Sequence, residues 1–201
     1  MAVSTLRAGF VETFEDGTNE SDWRLTTSTE PVIEPSGGNP GAYLWQEVDA
    51  ATPTWGVGTG PNPFIGNYAK LEVNGMSFDL NIFAGIGAAN RNVTLNISTT
   101  FGTGNFLKGV VAYYVGTDIS NLPKGWHTYS FPIDATSGVI PPGWKVFRGD
   151  GHKGHATDWR ALMQDVEFAG LELGTPGYFY PVWVWDIGLD NVRIAQRYRT
   201  P

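Results

Sequence analysis

Tyr178-Phe-Tyr-Pro-Val-Trp-Val-Trp-Asp-Ile-Gly-Leu-Asp-Asn-Val-Arg-Ile194 reads as the last complete strand of the chain, and the rest is organised around it. Strand residues alternate faces, so Phe179, Trp183, Trp185 and Ile187 fall on one side and Tyr178, Tyr180, Val182 and Val184 on the other. Both sides are apolar, which suits a central strand covered on each face. Gly188 allows a bulge or bend, after which alternation resumes with Leu189 and Asn191 opposed to Asp190 and Val192.

Working outward, the same alternation recurs. Met76, Phe78, Leu80 and Ile82 oppose Ser77, Asp79 and Asn81; Val93-Thr-Leu-Asn-Ile97 repeats the pattern; His127, Tyr129, Phe131 and Ile133 oppose Trp126, Thr128 and Ser130. Phe10–Phe14, Ala42–Val48, Phe64–Tyr68, Gly109–Val115 and Val166–Leu173 read as further strands. Turn-forming stretches lie between them: Ser36–Gly41, the Thr/Gly/Pro-rich 49–63 containing Trp55, and the Gly/Pro-rich 134–157 containing Trp144. Asp158 as N-cap with Leu162 and Val166 at i,i+4 spacing predicts one short helix over 158–166.

The chain thus reads as all-β, an antiparallel β-sandwich (jelly roll) with one short helix. Composition agrees: of 201 residues, 26 are Gly and 13 Pro, and only 16% are charged, which favours many turns over long helices. No composition shift splits it, so 1–9 is expected to be an N-terminal arm, 10–194 one domain and 195–201 the start of a linker within a larger multidomain chain.

A net charge of −7 without a basic cluster argues against nucleic acid and anionic membrane as partners. Absence of cysteine excludes disulfides and thiolate metal sites. No apolar run is long enough to cross a membrane as a helix, and Met1–Arg7 does not have the form of a signal peptide.

Taken together, Phe14-Glu-Asp-Gly17 with Trp23 and Leu189-Asp-Asn-Val-Arg-Ile194 resemble the first and last strands of jelly-roll carbohydrate-binding modules. Gly37–Leu44, Phe64–Tyr68, Met76–Leu80 and Gly125–Ile133 resemble the laminin type IV (laminin B) domain and its bacterial extracellular relatives. The resemblance implies an extracellular or cell-surface bacterial module, and a structural calcium ion on Glu15, Asp16 and Asp190 that joins the terminal strands. From the residues alone, Glu15-Asp16-Gly17 reads as a solvated turn before it reads as a hard-cation site.

Eight Trp and eight Tyr in an acidic chain suit sugar binding, because aromatic faces stack on pyranose C–H faces while carboxylates and amides bond hydroxyls. Trp183 and Trp185, two apart on one face, are either inter-sheet core or a two-ring platform, with Tyr180 beside them. Trp55 and Trp144 are the loop candidates, with Gln46 and Asn62 as hydroxyl partners, whereas Trp23 and Trp126 are assigned to the core. His152 and His155 are too few for zinc. No nucleophile elbow, phosphate loop or zincin helix is present, and Glu167 and Glu172 fall on opposite faces.

The expectation is a non-catalytic polysaccharide-binding module. The alternatives are a laminin IV-like structural or adhesion domain with a protein or matrix partner, and a small polysaccharide lyase or glycoside hydrolase. Solvent exposure of Trp183 and Trp185 favours the first. Burial of Trp183 and Trp185 with no exposed ring pair favours the second, and a deep acidic cleft the third.

Overall fold

The computed structural model describes residues 6–7, 9–25, 29–58, 61–84, 91–100, 109–121 and 123–197. The described residues form twelve strands and one helix: β1 (Val11–Glu12), β2 (Arg24–Leu25), β3 (Val32–Gly38), β4 (Gly41–Ala50), β5 (Thr54–Gly58), β6 (Val73–Ala84), β7 (Asn92–Ser98), β8 (Val110–Asp118), β9 (His127–Pro132), β10 (Trp144–Arg148), α1 (Ala156–Gln164), β11 (Phe168–Leu173) and β12 (Trp183–Gln196). They build two antiparallel sheets. The front sheet has the order β3-β4-β12-β6-β9, with β1 pairing the far half of β12; the back sheet runs β10-β8-β7-β11-β5-β2. This is the expected β-sandwich of the jelly-roll class.

The stretch is central, with β12 pairing β4 on one side and β6 on the other, but it is not covered on both faces as expected: Tyr178, Phe179, Val182, Trp183 and Val184 are exposed. Trp185, Ile187 and Leu189 point between the sheets and are fully buried. Alternation then breaks, at Asn191 rather than at Gly188. Asn191 adopts φ +46°, the register against β6 shifts between Asp190 and Arg193, and Val192 and Ile194 return to the interior. Asn tolerates this left-handed conformation better than most residues do, so the bulge sits where an Asn is available.

The facing layer comes from the back sheet, where Trp55, Val57, Leu95, Ile97 and Leu171 are buried. Trp23 closes one end, edge-on to Phe64 and Phe78 with ring centroids 5.1 and 5.6 Å away. Helix α1 closes another, burying Trp159, Leu162 and Met163.

Several local expectations are corrected. The supposed loop 49–63 contains β5, which lies between β11 and β2. Its glycine is a packing requirement, because a Cβ on Gly56 would stand 2.5 Å from the Phe168 ring. The supposed loop 134–157 contains β10, the edge of the back sheet. Strand β12 begins only at Trp183, since Pro181 supplies no N–H for pairing. The helix starts two residues earlier than expected, with His155 as N-cap. Asp158 serves as the third helical residue of a capping box, its carboxylate accepting the His155 backbone N–H at 2.7 Å. Leu6 is buried and Arg7 N–H bonds the Pro63 carbonyl at 3.0 Å, so the chain engages the fold before residue 10; β12 continues to Gln196. Among the described residues, no helix is long and apolar enough to cross a membrane.

Candidate functional site

The outer face of the front sheet follows from the inner one. In β4, Ala42, Leu44, Gln46 and Val48 are buried, so Tyr43, Trp45, Glu47 and Asp49 point outward. In β6 the buried Met76, Phe78, Leu80 and Ile82 leave Asp79, Asn81 and Phe83 outward. In β12, Val184, Asp186, Gly188 and Asp190 take that side. Register aligns Val32, Trp45, Gly188 and Asn81 in one row; beside it Glu34 pairs Tyr43, and Asp190, Asp79 and Thr128 line up across β12, β6 and β9.

Gly188 is the floor of this face. A Cβ there would lie 2.8 Å from the Trp126 ring and 2.9 Å from the Tyr43 ring, so both rings rest on its backbone. Tyr43 and Trp126 meet edge to face with centroids 5.3 Å apart; Phe83 stands 5.8 Å from Tyr43 and 6.4 Å from Trp126. The Trp126 indole N–H donates to the Gly37 carbonyl at 2.8 Å. Trp126 precedes edge strand β9 and Gly37 lies in the opposite edge strand β3, four strand spacings away. In a flat sheet those edges stand about 19 Å apart, far more than one indole spans. Gly37, at the break in β3 pairing, and Trp126, just before β9, therefore reach toward each other across this face, and the strip of sheet beneath them is the trough.

Acidic groups line it. Trp45 Nε1–H donates to Asp186 Oδ1 in a short bond. Burial first, then the carboxylates of Glu34 and Asp186, push the Tyr43 phenol above its ordinary pKa, which places both charges close to that ring. At the next row Asp79 accepts from Thr128 Oγ1–H at 2.6 Å, from Asn39 Nδ2–H at 3.1 Å and from Asn191 Nδ2–H at 2.9 Å. Asp190 accepts the backbone N–H groups of Asn39 and Asn191, each at 2.7 Å. Burial pushes the Asp190 carboxyl up to about 6, with Asp79 and Glu15 adding repulsion against those two bonds.

For the expected metal ligands the outcome is divided. Glu15 and Asp190 share the β3–β4 turn: Glu15 Oε1 accepts Ala42 N–H at 3.1 Å, while Asp190 accepts Asn39 N–H. Asp16 is apart, bonded to the N–H and hydroxyl of Thr18 in its own exposed turn. Among the described residues no three His, Cys, Asp or Glu side chains converge as a metal-binding group. Two of the three expected ligands are thus near one another, in a crowded carboxylate corner, and the third does not fit the set.

The expected ligand-binding residues are mostly core. Trp185 is fully buried and donates to the Ala50 carbonyl at 2.9 Å. Trp55 is fully buried, and Trp144 is buried with its indole on the Pro132 carbonyl at 2.8 Å. Tyr180 is buried, its hydroxyl accepting Thr175 N–H at 3.1 Å. The Arg91 guanidinium sits between the Tyr180 and Trp185 rings, 4.2 and 4.7 Å from their centroids. Gln46 and Asn62 are braces: Gln46 accepts Leu25 N–H at 2.9 Å and donates to Thr29, and Asn62 ties Ser21 to Phe64. Only Trp183 is exposed, at 43%, so Trp183 and Trp185 form no two-ring platform. His152 and His155 are exposed and separate from the trough.

Tyr43, Trp45, Phe83 and Trp126 are the rings that sequence reasoning missed. A signal was present in Gly41–Ala50, where one parity is aliphatic with a glutamine and the other reads Tyr, Trp, Glu, Asp. The first parity describes a core face, the second an aromatic and acidic outer one.

No known family matches the sequence, and no characterised protein matches it. Among solved structures, the chain is similar to part of an exo-β-agarase: TM-score 0.51 and 12% identity, covering 96% of this chain and 25% of that one. It is also similar to a carbohydrate-binding module of the β-sandwich superfamily described for promiscuous specificity: TM-score 0.50 and 12% identity, covering 94% of this chain and 63% of that one. The chain therefore spans a quarter and just under two thirds of these two structures. At such identities the likeness is one of fold.

Proposed function

We propose that this chain is a non-catalytic carbohydrate-binding module that takes a polysaccharide chain in the trough of the front sheet. The observation that carries the reading is the cluster of the half-buried Tyr43 and Trp126 with the more exposed Phe83 on Gly188, flanked by Asp186, Glu34 and Asn81. Aromatic faces beside fixed hydrogen-bond acceptors match the two-sided chemistry of a sugar ring. The β-sandwich module among the similar structures supports it, as does the agarase, in which a like fold is part of a larger protein. A polysaccharide ligand goes with an extracellular or cell-surface setting.

The hydrolase alternative would draw on Asp79 and Asp190, cross-strand partners in β6 and β12. Both are occupied by Asn39 and Asn191, and Asp79 also by Thr128, which suits a structural junction better than a free acid–base pair.

Affinity-gel retardation against neutral plant and algal polysaccharides tests the reading. The wild-type chain is retarded by at least one polymer, and Trp126→Ala abolishes this without loss of fold. Retardation that survives Trp126→Ala and Tyr43→Ala would overturn the assignment of the trough.

A calcium ion at the corner of Glu15 and Asp190 remains part of the proposal, without Asp16. The motive is electrostatic: the Asp190 carboxyl is buried and feels the charges of Asp79 and Glu15, and a hard cation takes oxygen ligands of this kind. Chelation then lowers the Tm and added calcium restores it; a Tm indifferent to both would sink the idea.

A further inference from the structure

The charge of the trough says which polysaccharides it accepts. Strands β3, β4, β6 and β9 contain no lysine or arginine, and the one basic residue of β12, Arg193, lies past the Asn191 bulge. Outward-facing carboxylates come from three of these strands and β12: Glu34, Glu47, Asp49, Asp79 and Asp186, with Glu47 directly opposite Asp186 in the register. Lys124, exposed in the segment before Trp126, is the nearest lysine or arginine in sequence to the ring cluster, and His127 directly follows Trp126.

Resting on the assignment of the trough as the glycan site, we infer that its ligand is an uncharged glycan and that its carboxylates exclude polyanionic chains. A neutral sugar offers hydroxyl donors to these acceptors. A uronate or sulfate carried at a regular interval along a chain would bring like charges within a Debye length of several carboxylates at once, with no guanidinium to answer them. The Asp186 carboxylate is fixed by Trp45, so it cannot turn away.

Polymers matched in backbone and differing in charge test this directly: hydroxyethylcellulose against carboxymethylcellulose, and agarose against κ-carrageenan. Retardation of the wild-type chain is measured at low salt and at about 0.3 M NaCl. The neutral member of the bound pair is expected to hold the chain at least about tenfold more tightly than the anionic member at low salt, with the gap narrowing as salt rises. The Glu47→Lys/Asp49→Lys double variant gains retardation by the anionic member. Equal retardation by both members at low salt, abolished for both by Trp126→Ala, would overturn the charge inference and leave the trough assignment standing. Retardation by the anionic member alone would overturn it too. Retardation by neither member of either pair, and by no other neutral polymer, would bring down both together.

Discussion

The two outer faces of the sandwich carry similar numbers of aromatic rings and put them to different use. On the back sheet, Tyr113 and Phe147 lie parallel, 5.6 Å apart at 4°, with the Lys145 ammonium 5.6 Å from the Tyr113 ring. Phe168 lies flat over Gly56 and Gly170, and Glu172 is held by the Asn96 amide at 2.9 Å. These groups satisfy one another. On the front sheet, Tyr43, Phe83 and Trp126 meet over Gly188, beside carboxylates that no lysine or arginine of β3, β4, β6 or β9 answers. A surplus of aromatics is therefore not a site by itself. The distinction lies in whether rings and charges are left with something still to bind.

The largest expected effect tests neither face but the core between them. Trp185→Ala removes a fully buried indole and its bond to Ala50, costing about 3–5 kcal/mol and lowering the Tm by about ten degrees. Thermal unfolding checks it; a variant that melts like wild type but loses glycan would return Trp185 to the binding site. Next comes Gly188→Ala. Its methyl would enter the space of the Trp126 and Tyr43 rings, so glycan affinity falls about thirtyfold or more while far-UV circular dichroism is retained. The same change at Gly56 displaces Phe168 on the back sheet, and there the expected loss is in stability, with affinity unchanged.

Single-ring truncations sharpen the contrast further. Trp126→Ala costs about tenfold or more in affinity by titration calorimetry, whereas Tyr113→Ala leaves affinity within about twofold. The smallest effect concerns pH. Burial raises the Glu172 carboxyl above its ordinary pKa against the opposing Asn96 bond, so its charged form is penalised in the folded state. That penalty lifts as the pH falls through the raised value, and Glu172→Gln flattens the stability profile there. An unchanged profile would mean that Glu172 is solvated.

What could be read from the sequence follows the same division. Strands with clean alternation, β6 and β7, and the inward row Trp185, Ile187 and Leu189 of β12 were legible because period-2 burial writes itself into residue type, whereas the apolar Trp183 and Val184 before Trp185 proved exposed. Strands β5 and β10 were not. Thr54-Trp-Gly-Val-Gly58 carries two glycines that read as turn formers, yet Gly56 is small because Phe168 lies on it. Trp144 sits just after a Pro-Pro-Gly turn and belongs to the core. The site was harder still. Trp126 precedes its strand and belongs with Tyr43 only because segments beside opposite edges of the sheet meet across its face, a relation no local window contains. Tyr43 and Trp45 were within reach, since the other parity of β4 is plainly the core face.

The claim that the front trough is the glycan face is tested most directly by the indole N–H resonances of the eight Trp residues during titration with a retarding polysaccharide or its oligosaccharides. The account predicts that the Trp126 and Trp45 resonances move saturably, while those of Trp23, Trp55 and Trp185, buried in the core, stay in place. Saturable shifts confined to Trp183, with Trp126 and Trp45 unmoved, would contradict it.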